Sequence, residues 1–102
     1  MAKTEKIYGT SKKPRVSVFR SNKYISAQVI DDENGVTILS KSSKEIDAKS
    51  TAIEKSFKTG ELLGEAMKDK KIVEITFDRN TYRYHGRVKS LAEGIRKAGI
   101  KF

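Results

Sequence analysis

The sequence predicts a mixed α/β fold: a three-stranded antiparallel meander extended by a further strand after a helical crossover, with helices packed on the sheet. Three observations carry this reading. Residues 15–20 and 24–29 alternate the two faces with period two, from about residue 50 the period becomes that of a helix, and a short, mostly apolar run at 72–77 stands between two helical stretches.

Taken in order, Arg15 to Arg20 reads as a strand with Val16 and Val18 on one face and Ser17 and Phe19 on the other. Ser21, Asn22 and Lys23 make a turn. Tyr24 to Asp31 follows as a second strand, with Ile25, Ala27 and Val29 on one face. The cluster Asp31 to Gly35 is a hairpin connection, because Asn-Gly tolerates the positive backbone angles that such turns need, and Val36 to Ser42 returns as the third strand. Short links make sequential strands pair.

A helix is expected from about Ser50 to Asp69, with Ile53, Phe57, Gly60, Leu63, Gly64 and Met67 on its inward stripe. The two glycines, one turn apart, suggest close approach of the helix backbone to the sheet. Ile72 to Phe77 suits an interior strand covered on both faces, joining the sheet in parallel with a neighbour. The last helix runs from about Arg87 to Ala98, with Val88, Leu91, Ala92 and Ile95 inward and Gly99 as its stop. Residues 1–14 lack an apolar period and read as a basic arm, leaving 15–102 as a single globular domain.

The chain has 102 residues, 36% hydrophobic and 34% charged, on the polar side of globular usage but not poor enough in apolar groups for disorder. Without cysteine it has no disulfide, thiolate metal site or cysteine nucleophile. Apolar runs of only a few residues, and no apolar signal segment, predict a soluble protein that is not secreted and has no membrane partner. No cofactor, metal or small-molecule substrate is expected.

The net charge of +9 is unevenly placed. Residues 1–24 hold seven Lys or Arg against Glu5 alone, and residues 79–102 hold seven against Glu93 alone. Between them, eight basic side chains face eleven acidic ones, so the positive charge is confined to the two ends of the sequence. Such clustering points to a polyanion contacted by both ends.

Two segments have the chemistry for that contact. In the first, Lys12, Lys13, Arg15 and Arg20 lead to a tip of Ser21, Asn22 and Lys23 that offers cations, amides and hydroxyls to phosphate and sugar, though an ordinary polar turn has the same composition. The second, Phe77 to Lys89, gathers Arg79, Arg83, Arg87 and Lys89 with Tyr82, Tyr84 and His85 in one strand-to-helix link. The tyrosines can stack on unpaired bases, the arginines can bind phosphates, and the helix start near Gly86 can receive a phosphate on free amides. The plainer alternative makes one tyrosine a core plug and Asp78 and Arg79 a surface ion pair.

Catalysis would have to draw on His85, Asp78 and the acidic turn Asp31, Asp32, Glu33, and the sequence gives no reason for these to converge. A histidine among arginines reads as an RNA contact or a structural hydrogen-bond partner, so the chain is expected not to be an enzyme.

At these segments the sequence resembles the large-subunit ribosomal protein eighteen family of bacteria and organelles. The resemblance rests on Lys13-Pro14-Arg15 through Val18-Phe19-Arg20-Ser21-Asn22-Lys23, on Ala27 to Asp32, and on Phe77-Asp78-Arg79 with Tyr82 and Tyr84 to Lys89, in the family's order from Tyr8-Gly9-Thr10 to Phe102. It implies a ribonucleoprotein role in translation: binding 5S rRNA, mediating its attachment in the central protuberance of the large ribosomal subunit, and contacting the large-subunit rRNA and neighbouring 5S-binding ribosomal proteins. It also implies RNA contact by Arg15, Arg20, Ser21, Asn22, Lys23, Arg79, Tyr82, Tyr84, His85, Gly86 and Arg87, and location in the ribosome, cytoplasmic or organellar.

Three departures from the family accompany the match. The arm is short, with only Lys3, Lys6, Lys12 and Lys13 as its cations before Pro14; Asn80 and Thr81 stand where the family usually has two glycines; and Ser26 replaces a common aromatic. The exchange at 80–81 is expected to stiffen the RNA-facing loop or alter its path. Two other readings of the residues remain: an RNA-processing enzyme on a similar fold, whose metal-dependent cleavage Asp78→Asn would abolish, and a non-specific basic DNA-binding module.

Overall fold

The computed structural model describes residues 9–46 and 49–102, so residues 1–8 of the expected arm lie outside the described residues. Strands β1 (Arg15–Arg20), β2 (Ile25–Asp31) and β3 (Val36–Ser42) form the antiparallel meander. A short 3₁₀ turn (Ser43–Glu45) follows, then helix α1 (Ala52–Asp69), strand β4 (Thr76–Asp78) and helix α2 (Arg87–Lys97). The sheet order is β3-β2-β1-β4, with β4 parallel to β1.

Alternation in β1 and β2 does what period two requires. Val16 lies opposite Val29 and Val18 opposite Ala27, and all four are fully buried on the face that the helices cover. They meet Leu63 and Met67 of α1, Val88, Leu91 and Ile95 of α2, and Ile72, Ile75 and Ile100 in one core. Each large aliphatic side chain so buried contributes about 1.5–3 kcal/mol relative to leaving it in water. The acidic turn is built around Asp31, whose carboxylate accepts from the backbone amides of Glu33 and Asn34, and Gly35 takes the positive φ of 66°. Thr51 caps α1 by accepting from the Glu54 amide at 3.2 Å, and the Glu54 carboxylate returns the contact to the Thr51 amide.

Two expectations need correction. The glycines of α1 serve contact with α2, not with the sheet. A Cβ on Gly60 would lie 2.1 Å from the Leu91 carbonyl oxygen, and one on Gly94 would lie 2.1 Å from the Phe57 carbonyl oxygen. Each glycine therefore receives the other helix's backbone. This crossing turns the buried stripe of α1 toward Ser56 and Thr59, whose hydroxyls donate to the carbonyls of Ala52 and Lys55, and leaves Ile53 48% exposed.

Nor is the run at 72–77 an interior strand. Only Thr76–Asp78 is strand, and it lies at the sheet edge. Ile72 and Ile75 are buried while Val73 is exposed, and beyond β4 there is a single bridge between Glu74 and Lys101 among the described residues. The run is apolar because two isoleucines enter the core, not because both of its faces are covered.

Gly94→Ala and Gly60→Ala are each expected to destabilise the fold by about 3 kcal/mol or more, since backbone cannot yield as a side chain does. Urea unfolding checks this: an unchanged midpoint would mean that the helices separate without cost.

Candidate nucleic-acid interface

Parallel pairing decides where the basic segments meet. Arg15 faces Thr76 and Ser17 faces Asp78, so the chain leaves β4 at the end of the sheet where β1 turns into β2. The turn 21–24 and the link 79–86 therefore emerge side by side. Lys12 and Lys13, exposed ahead of Pro14, lie at the other end of β1, about 16 Å away at 3.3 Å per strand residue.

Two side chains fasten the segments. The Tyr82 hydroxyl accepts from the Arg20 amide at 3.0 Å and donates to the Arg20 carbonyl at 3.3 Å, while the Arg20 guanidinium lies 5.1 Å from the ring centroid. Asn80 donates its side-chain amide to the Val18 carbonyl at 2.6 Å and to the Ser17 hydroxyl at 3.3 Å. Asn80 has a φ of 57°, a left-handed conformation that asparagine tolerates better than most residues. It thus supplies the backbone freedom of a glycine and adds an anchor that glycine lacks.

Around this joint, Ser21 closes the turn by bonding Tyr24 through both backbone and hydroxyl, leaving Asn22 and Lys23 exposed at the tip. Arg79 donates to the Tyr82 carbonyl; Arg83, His85 and Lys89 are exposed, and Arg87 is half-buried. Tyr84 is 39% exposed, sets its ring edge-on to Phe77, and accepts from Arg96 at 3.1 Å. Gly86 begins α2 with no side-chain cap, so amides of its first turn face outward.

Arg15 is engaged differently. Its Nε and one terminal nitrogen donate to Asp32 at 2.9 and 3.1 Å, and its other terminal nitrogen donates to Asp78 at 3.0 Å. Asp78 thus pairs with Arg15 rather than with its sequence neighbour Arg79. The hydrogen bond to Asp32 is the largest influence raising the Arg15 pKa above its ordinary value, opposed by burial and reinforced by Asp78. Asp32 also accepts from the Gly9 amide, so the guanidinium ties the entering chain, β1 and β4 together. The two carboxylates converge on a fixed cation, an arrangement of counter-ions.

Sequence reasoning misses Asp32, Arg96 and Phe102, which holds its ring 5.2 Å from that of Phe77, as residues that shape the interface, and it expects Asn80 to stiffen the loop or alter its path without naming what it anchors. Asn80 and Val18 are 62 positions apart, so only the tertiary fold joins them. The exchange of glycine for asparagine at position 80 is the one available signal.

Asp78→Asn is expected to lower stability by about 1 kcal/mol, measured by thermal unfolding, because it leaves part of a half-buried guanidinium without its counter-charge. Tyr82→Phe keeps the ring but loses both bonds to Arg20. It should cost about 1 kcal/mol and speed hydrogen exchange at the Arg20 amide, with the Val18 amide unaffected.

Comparison with known proteins identifies the family. The family described as Ribosomal L18 of archaea, bacteria, mitochondria and chloroplast matches residues 3–102. The large ribosomal subunit protein uL18 of Aster yellows phytoplasma is 52% identical, over 96% of this chain and 93% of its own. Those of Brachyspira hyodysenteriae and Staphylococcus aureus strain JH9 are 50% and 52% identical, over 95% and 92% of this chain and 83% and 81% of theirs. With a match over nearly its whole length and half its residues shared, the chain belongs to the L18 family of large-subunit ribosomal proteins.

Proposed function

We propose that the chain binds 5S rRNA and mediates its attachment in the central protuberance of the large ribosomal subunit, contacting large-subunit rRNA and neighbouring 5S-binding proteins, without catalytic turnover. The observation that carries this reading is the joint between Tyr82 and Arg20, which merges two basic segments into one surface at one end of the sheet. Arg20, Lys23, Arg79, Arg83, Arg87 and Lys89 supply the charge for phosphates. Ser21, Asn22, His85 and the amides near Gly86 donate to phosphates and sugars, and exposed Tyr84 presents a ring to an unpaired base. Tyr82 contributes by holding the two segments in register. Lys12 and Lys13, at the far end of β1, reach a separate stretch of RNA, and Arg15 acts mainly by fixing the frame.

Six phosphates neutralised by those six cations predict that log affinity falls with log salt at a slope of roughly −4 to −5. The measurement is competition at moderate salt, with labelled 5S rRNA against excess transfer RNA and duplex DNA. Selective retention of 5S rRNA is the expected result, and equal displacement by every competitor would reduce the chain to a basic protein without preference.

A further inference from the structure

We propose that Phe19 and Tyr24, on the sheet face opposite the helices, form a platform on which unpaired nucleotides of the bound RNA stack. This inference rests on the RNA-binding reading above and adds a surface to it.

Register puts the two rings on one face. Val18 and Ala27 face the helices, so Phe19 and its cross-strand partner Ser26 face the other way. Tyr24, two residues before Ser26, lies on that same side, diagonal to Phe19 at about 7 Å by ordinary sheet geometry. Phe19 is 46% exposed and Tyr24 38%, large values for aromatic rings on a sheet. Next to them the face is polar, with Ser26 opposite Ser42 and Gln28 opposite Ser40. Two rings among hydroxyls and an amide are too sparse an apolar patch to form the core of a protein contact. They suit bases, whose faces stack while their edges and ribose hydroxyls find donors and acceptors.

Charge selects the same occupant. The Lys44 ammonium sits 5.4 Å from the centroid of the Tyr24 ring. The platform also runs into the turn that carries exposed Lys23, whereas Arg20, next after Phe19, projects to the other side of the sheet over the Tyr82 ring. A strand held at its phosphates by Lys44 and Lys23 has its bases within reach of the two rings. A perfect duplex keeps its base faces stacked internally, so the platform favours loops and bulges.

The test uses the full chain and two probes, 5S rRNA and a fully paired RNA duplex. The double variant Phe19→Leu/Tyr24→Leu should lose roughly tenfold in affinity per ring for 5S rRNA, with duplex binding unchanged. Since the chain has no tryptophan, Phe19→Trp adds a single reporter, whose emission should be quenched by 5S rRNA and not by the duplex. Circular dichroism melting of each variant verifies the fold. Wild-type affinity in a folded double variant, equal losses for both probes, or an indole reporter at position 19 that is blind to 5S rRNA would overturn the platform while leaving the basic interface standing. A wild-type chain that binds neither RNA would overturn both.

Discussion

The parallel pairing of β4 with β1 is only three residues long, yet the position of every cation in the link 79–89 follows from it. An antiparallel β4 would have delivered the link to the end of the sheet occupied by the acidic turn at Asp31. Because the chain reaches β4 through α1, the crossover permits the parallel sense, and the Arg15 guanidinium secures it by gripping Asp78 from the neighbouring strand. Two residues further on, Asn80 holds the exit of β4 to Val18. A short edge strand with few ladder bonds is thus fastened at its exit by two side chains, and at its start by the Thr76 amide donating to the Pro14 carbonyl.

Behind this edge, the helix pair supplies rigidity. Gly60 and Gly94 allow α1 and α2 to meet at backbone distance, which draws Leu63, Met67, Leu91 and Ile95 onto the sheet together. The two layers divide the work. Burial on one face of β1 and β2 provides stability, and the opposite face and the loop end remain free for polar chemistry.

Much of this is legible in the sequence. Alternation locates β1 and β2 and their buried faces, Asn34-Gly35 locates the hairpin, and Val88, Leu91, Ala92 and Ile95 mark the inward side of α2. What periodicity does not encode is the identity of the surface opposite. Gly60 and Gly64 announce a close approach but not to which element, and Ile53 falls on the apolar stripe of α1 although the crossing rotates it toward solvent. The partners of Arg15, Tyr82 and Asn80 are invisible for a related reason. Their contacts span 17 to 63 positions, and a basic or aromatic residue reads the same whether it meets solvent or a distant carbonyl.

Tyr82 and Arg20 have a consequence for the order of assembly. The hairpin of β1 and β2 closes a short loop and can form as soon as both strands exist, whereas the Tyr82 joint closes a loop of 62 positions. During synthesis, the first basic segment is therefore exposed well before the second arrives beside it. The full surface appears once the link after β4 has been made and docked, so that the two basic segments stand side by side only in the completed fold.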